Sequence, residues 1–382
     1  MLRFLTAGES HGPGLVTVVE GVPAGLEVTL PGLAAELARR RHGHGRGGRM
    51  DLESDDLEIL GGVRFGRTLG SPVAIVIRNA EWPEWQEEMS PEPGEASRQL
   101  TTPRPGHADL AGMLKYDTHD ARDVLERASA RETAARVVAG YLAKKLLEAA
   151  GVQVLSHVVA IGGVVVPEEV RPGPEDLTVI DESPVRAFDA AASAAMVEEI
   201  DRARADDDTL GGVIEVIAYG VPAGVGSHVH WDRRLDAQLA GALMSIPAIK
   251  AVEAGDGMAA AGRRGSAAHD EITYEGGFSR KTDRAGGIEG GMSTGEPIRL
   301  RAAMKPLATL GRPLGSVDVV SKEATVAFRE RSDTCAVPAA GVVAESMVAL
   351  VLATEMQRMF GGDTVADLVG AVEAYRRRLA AF

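Results

Sequence analysis

Gly21-Val-Pro-Ala-Gly25 and Gly220-Val-Pro-Ala-Gly224 are the same five residues, 199 positions apart (220 − 21 = 199). Each copy follows a β-branched run, residues 15–19 and 213–217, and each precedes a helical stretch, residues 33–41 and 234–244. A proline that fixes φ, set between two glycines that can take positive φ, makes a sharp turn. Both copies therefore read as strand–turn–helix. One reading is a common turn met twice. The sharper one is a duplication that gives two related halves, and it fails if the two segments sit in unrelated local folds.

Further β-branched runs lie at 73–77, 152–159, 164–166, 298–301 and 317–320, with helical periodicity at 130–150, 196–204, 339–360 and 365–379. The strict strand–helix alternation of a doubly wound parallel sheet is missing, so the pattern predicts an α+β fold. The chain has 382 residues, 45% hydrophobic and 25% charged, enough for a large core. A lone Cys335 excludes an internal disulfide framework. The best apolar run, 342–356, is interrupted by Glu345 and Ser346 and falls short of the ~18 residues that span a membrane. The first seven residues are too short for a signal peptide's apolar region, so a cytoplasmic location is expected.

Net charge is −14, which repels nucleic acid and anionic membranes and makes local basic clusters informative. Gly8-Glu-Ser-His-Gly12 presents Ser10 and His11 between glycines, and imidazole exchanges protons near neutrality. Arg39-Arg-Arg-His-Gly-His-Gly-Arg-Gly-Gly-Arg49 ends a helix and enters a glycine loop. It reads as an Arg-Gly nucleic-acid segment, a metal site on His42 and His44, or a phosphate and carboxylate clamp. No aromatics interleave it and no carboxylate or cysteine completes a metal site, which favours the clamp.

In Thr101-Thr-Pro-Arg-Pro-Gly-His-Ala-Asp109, two prolines stiffen the chain around Arg104 and Gly106 turns it to deliver His107. In Glu126-Arg-Ala-Ser-Ala-Arg-Glu-Thr133, Ser129 and Glu132 have capping-box spacing. The free N–H groups of that helix, with Arg127 and Arg131, describe an anion site. Gly286-Gly-Ile-Glu-Gly-Gly-Met-Ser-Thr-Gly295 could admit a planar ligand, and Lys305-Pro-Leu-Ala-Thr309 adds a cation. Arg331-Ser-Asp-Thr-Cys335 precedes Pro338 in the first turn of an apolar helix. Asp333 there reads as a helix cap or as a proton-transfer group.

These motifs, in this order from Gly8 to Met347, resemble the chorismate synthase family. The resemblance implies a single catalytic domain over 1–382, with helices layered between β-sheets. It implies a shikimate-pathway lyase for aromatic amino acid biosynthesis. The reaction would be anti-1,4-elimination of phosphate from 5-enolpyruvylshikimate 3-phosphate, with reduced FMN required and no net redox change. NADPH is a candidate reductant, and the subunits would form a homotetramer, with no metal, nucleic-acid or membrane partner.

By the same resemblance, His11 would protonate the departing phosphate, His107 would act at the flavin, and Asp333 would help move the substrate proton. Arg40, Arg46, Arg104, Arg131 and Arg331, with Ser10, Ser129 and Ser332, would hold the substrate. Arg127, Ala128, Ser129, Pro247, Ala248, Gly290, Lys305, Pro306, Leu307, Ala308, Thr309 and Arg331 would hold the flavin. Leu307 stands where many relatives have a hydroxyl residue, which leaves Thr309 and the loop backbone to serve. With aromatics at 4%, no aromatic cage around the flavin is expected. Two rival readings remain: another flavin- or nucleotide-dependent lyase, and an anion- or RNA-binding protein using 39–49.

Overall fold

The computed structural model describes residues 1–47 and 56–382, so Gly48 and Arg49, the end of the second cationic motif, lie outside the described residues. The fold is α+β. Strands β1 (Arg3–Ala7), β2 (Gly14–Glu20), β3 (Asp56–Gly61) and β4 (Val73–Arg78) form an antiparallel sheet in the order β1-β2-β4-β3. Strands β5 (Gln153–Ile161), β6 (Val164–Val165), β7 (Gly212–Tyr219), β8 (Ile249–Ala254) and β9 (Ile298–Met304) form a second, in the order β8-β9-β7-β5-β6. Leaving aside the two-residue β6, each sheet takes its first, second, fourth and third strands in that spatial order.

The repeated pentapeptide occupies the same place in both. It leaves β2 toward helix α1 (Leu30–Arg41), and it leaves β7 toward a helix at Leu235–Met244. Gly21 has φ +83° and a Cβ there would fall 2.3 Å from the Met1 carbonyl oxygen; Gly220 has φ +77° and the same 2.3 Å clash with Gly151. One hydroxyl latches each turn. Thr68 Oγ1 donates to the Pro23 carbonyl and accepts from the Leu26 amide, and Ser293 Oγ does the same for Pro222 and Val225. The two segments sit in matching local folds.

The other helices that matter are α2 (Asp109–Tyr116), α3 (Arg122–Ala128), α4 (Thr133–Ala149), α5 (Ala190–Ala205), α6 (Leu235–Met244), α7 (Val337–Phe360) and α8 (Val365–Ala380). Helix α4 packs on β2, α7 packs on β5 and β7, and α4 and α7 pack on each other. Alternate strand residues such as Leu15, Val19, Ile75, Ile214 and Val216 meet these helices in one continuous core.

Several expectations need correction. The run at 317–320 is a strand only at its start: Gly315–Val317 pairs with Ala324–Val326, and Asp318 caps the turn between them. The apolar run around 342–356 belongs to a 24-residue helix, α7, long and apolar enough to cross a membrane by that measure, yet 89% of its most apolar window is buried inside the protein. Glu345, read as an interruption, is fully buried there. It accepts from Arg39 at 2.8 Å and from Arg186 at 2.9 Å, and it also pairs with Lys144. Burial alone would raise its pKa; the three cations hold it well below the usual carboxylate range.

Candidate active site

Five chain segments leave the strand and helix ends on one side of the molecule and enclose a cavity of about 620 Å3. The loop after β1 brings Ser10 and His11; the end of α1 and the loop beyond bring Arg40 and Arg46. The long connection after β4 brings Arg104, His107, Ser129 and Arg131. The chain after α6 brings Ile246 and Pro247, the end of β9 brings Met304, and the chain beyond it brings Leu307 to Thr309 and Arg331 to Asp333. Ala336, Ala339, Ala340 and Val343 of α7 and the residues before it make an apolar wall.

His11 is buried, and its Nδ1 lies 2.9 Å and 3.0 Å from the two oxygens of Glu126. Glu126 also accepts from the His11 amide at 2.8 Å, and the Ser10 amide donates to the Glu126 carbonyl at 3.0 Å. Burial alone would raise the Glu126 pKa, but the His11 contacts and the Arg122 charge bring it below its ordinary value. The carboxylate therefore stays ionised, takes the Nδ1 proton as its partner, and leaves Nε2 as the nitrogen for exchange with a ligand.

His107 repeats this arrangement. Its Nδ1 is hydrogen-bonded to Asp109, which is fully buried and also accepts from Arg104 Nε at 2.8 Å. Burial raises the Asp109 pKa, and the His107 and Arg104 hydrogen bonds outweigh it, leaving the carboxyl at about 2. Arg104 is set further by Thr309 Oγ1 at 2.9 Å and by the Phe328 ring, whose centroid lies 4.6 Å from its guanidinium carbon. Two imidazoles therefore line one cavity, each with a buried ionised carboxylate behind Nδ1, an arrangement with the chemistry to give or take protons.

The remaining cations are fixed by short contacts. Arg40 donates from Nε to Thr133 Oγ1 and from Nη2 to the Ala130 carbonyl, both at 2.9 Å. Arg46 pairs with Asp333 at 2.8 Å, and Asp333 also accepts from the Gly47 amide at 2.7 Å. Arg331 reaches Glu81 at 2.6 Å while 59% of its side chain stays exposed. Asp333 thus ties the α1 loop to the segment before α7, and it does not cap α7, whose N-cap Ala336 has no side-chain partner.

The capping box is half right. Ser129 accepts from the Arg131 amide at 3.3 Å and starts a 3-10 turn that runs into α4, but Glu132 turns away to Thr6 and Arg136. Arg127 also leaves the anion site and donates to the Gly8 and Thr6 carbonyls. With it, Ala128, Ala248, Gly290, Lys305 and Pro306 fall outside the cavity lining. Lys305 stays at the rim: its amide donates to Ala248, and its Nζ would lie 3.7 Å from a Cβ on Gly106. Gly290 turns the hairpin before β9, at the Ile298 end, whereas the cavity opens at the Met304 end, roughly 20 Å along the strand. Within one chain it does not reach the site.

Glu126 and Asp109 lie in the motifs above without an assigned role; the place of Asp109 two residues after His107 is the local signal for it, and Glu126 has none. Trp85, which stacks on His11 with ring centroids 4.0 Å apart, carries no such signal. No Phe, Trp or Tyr side chain lines the cavity among the described residues. His42 is exposed and His44 pairs with Asp201, and no cluster with metal-ligand composition occurs among the described residues.

The model of the family described as chorismate synthase matches residues 2–357. The chain is 60% identical to chorismate synthase of Frankia alni over 392 aligned positions, covering 99% of each protein. It is 59% identical to chorismate synthase of Thermobifida fusca over 386 positions, 98% of each. A crystal structure of chorismate synthase superposes with a TM-score of 0.80 at 40% identity, over 100% of this chain and 99% of that one. A match over the whole length, by sequence and by fold alike, means that this chain belongs to the chorismate synthase family.

Proposed function

We propose that the enzyme forms chorismate from 5-enolpyruvylshikimate 3-phosphate by anti-1,4-elimination of phosphate, as a carbon–oxygen lyase of the shikimate pathway. The observation that carries this reading is the pair of carboxylate-backed imidazoles on one arginine-rich cavity. The substrate brings a phosphate and two carboxylates, which a −14 chain would repel without Arg40, Arg46, Arg104, Arg131 and Arg331 on the cavity wall. Ser10, Ser129 and Ser332 supply hydroxyls beside them. His11, held by Glu126, delivers a proton from Nε2 to the departing phosphate. His107, held by Asp109, serves as the second proton carrier, and Asp333, anchored by Arg46 and Gly47, assists removal of the substrate proton.

The donor set also suits reduced FMN. The volume lies within the range of cofactor and ligand pockets. The alanine and valine wall offers a flat apolar surface to a ring system, and Ser129, Thr309, Arg131 and Arg331 offer hydroxyls and charge to a phosphate. Pro247, Leu307 and Ala308 complete the contact, with Lys305 and Pro306 at the rim. Burial and the neighbouring Lys250 lower the Lys305 pKa from its ordinary value. A bound reduced flavin supplies electron density that favours loss of the phosphate, with no net redox change.

The subunits assemble as a cytoplasmic homotetramer, each a single catalytic domain in which a helix layer lies between two sheets descended from one unit. Support for assembly comes from the outer face of the first sheet, where Leu5 (71% exposed), Val16, Val18 and Ala74 lie together across paired strands.

Anaerobic incubation with FMN, dithionite and 5-enolpyruvylshikimate 3-phosphate tests the reaction: chorismate and phosphate should appear in equal amounts, and neither appearing refutes it. NADPH in place of dithionite decides whether the protein reduces its own flavin.

A further inference from the structure

The strand β4 ends at Arg78, and the next seven residues fold back over the His11 loop. Asn79 Nδ2 donates to the carbonyls of Ser10 (3.2 Å) and Gly12 (3.0 Å), and its own Oδ1 accepts from the Glu81 amide. Glu81 holds Arg331. A short helical turn, Trp82–Trp85, then lays the Trp85 ring on the His11 imidazole, with centroids 4.0 Å apart and planes inclined by 27°. On Trp85 there also rests Arg122, its guanidinium carbon 4.9 Å from the ring centroid. Arg122 binds Glu126 at 2.8 Å, and Glu126 binds His11. The four side chains close a ring of contacts: His11, Glu126, Arg122, Trp85 and back to His11.

Such a ring removes freedom that a hydrogen bond alone leaves. The Glu126 contact fixes Nδ1 but lets the imidazole swing about that bond. A stacked indole sets the plane of the ring, and so the direction of Nε2. Arg122 serves both ends, neutralising Glu126 and resting on the indole face. We propose that Trp85 is a positioning residue that aims His11 Nε2 into the cavity, and that the segment Asn79–Trp85 couples this aim to the Arg331 side of the site. The proposal rests on the acid role given to His11, and it adds a residue that touches neither substrate nor cofactor.

A double-mutant cycle with an optical readout tests it. Trp85→Leu should lower kcat about tenfold with KM within about twofold, the mark of misaimed chemistry. Trp85→Phe, which keeps a stacking ring, should recover to within about threefold of wild type. In a His11→Ala background Trp85→Leu should cost less than twofold more, because the group it aims is gone. In the ligand-free protein, His11→Ala should brighten the Trp85 emission, obtained by subtracting the spectrum of the matching Trp85→Leu variant, since a stacked imidazole quenches indole. Equal losses in both backgrounds, a Trp85→Leu enzyme with wild-type kcat, or unchanged emission would each overturn the proposal. Wild-type kcat in His11→Ala is a different result: it removes the acid role of His11, while the emission still decides whether the two rings are coupled.

Discussion

The two sheet units share a strand order, a turn sequence and a hydroxyl latch, yet they contribute different chemistry to the cavity between them. The first unit's connections carry both histidines and four of the five site arginines, Arg40, Arg46, Arg104 and Arg131. The corresponding connections of the second carry Ile246, Pro247, the 304–309 strip and one arginine, Arg331. The connections after α1 and α6, and those after β4 and β9, reach the same cavity, so the scaffold fixes where these loops enter while each loop's own residues decide what it does. One unit supplies the cavity's imidazoles and most of its arginines, and the other most of the strip of apolar residues that faces them.

Besides the packing of α4 on α7, a buried ion cluster spans the two units. Glu345 of α7, which follows the second sheet, meets Arg39 of α1 and Lys144 of α4, which belong to the first, and Arg186 from the chain between β6 and β7. The Ser156 amide and hydroxyl complete its contacts at 3.0 and 2.8 Å. Neighbouring arginines thus part company: Arg39 joins the staple and Arg40 joins the cavity. Glu345→Gln leaves three buried cations without their central anion and should cost about 3–5 kcal/mol in urea unfolding. A loss under about 1 kcal/mol would mean that packing of α4 on α7, and not charge, holds the units together.

The asymmetry of the units makes the next prediction. His11→Ala and His107→Ala should each slow turnover by about 10²-fold or more, with the fold intact by circular dichroism. Near-wild-type rates in both would return the proton chemistry to the second unit, with Asp333 its remaining candidate.

Much of this was legible in the sequence where the signal is local. The pentapeptide marked both turns because glycine and proline constrain the backbone at their own positions. His11 and His107 stood out because glycines beside them present a side chain. Partners distant in the chain were not legible: His11 and Glu126 are 115 residues apart, and only the packing of α3 under the first loop brings them together. Local spacing also misled. Glu132 has the right offset to close a capping box with Ser129, but Thr6 and Arg136 offer it charged and hydroxyl partners on β1 and the next helical turn. Strands β3 and β8 escaped notice because Glu58, Lys250 and Glu253 interrupt their apolar residues on the side that faces out.

A smaller effect separates the units by pH. Asp109 in the first unit is held at about 2, below the ~3.9 of an unfolded aspartate, so its contribution is complete above pH 4 and is lost as pH falls toward 2. That amounts to about 2 kcal/mol, and Asp109→Asn should remove it. The difference in unfolding free energy between wild type and variant should therefore shrink from pH 5 to pH 2. A difference independent of pH would mean that Asp109 is not coupled to His107 and Arg104.

The smallest effect tests whether the units are equivalent where they look it. Thr68 and Ser293 are 3% and 4% exposed, and each hydroxyl donates to a proline carbonyl and accepts from an amide in its turn. Thr68→Val and Ser293→Ala each strand one buried carbonyl and one buried amide, at about 1–2 kcal/mol apiece. The two turns share no partner, so the double variant should lose the sum. Thr68→Ser and Ser293→Thr exchange the hydroxyl residues and should change stability far less. If one latch costs its full amount and the other nothing, the units share a chain path only, and their loops have been free to shift the load of each turn onto different contacts.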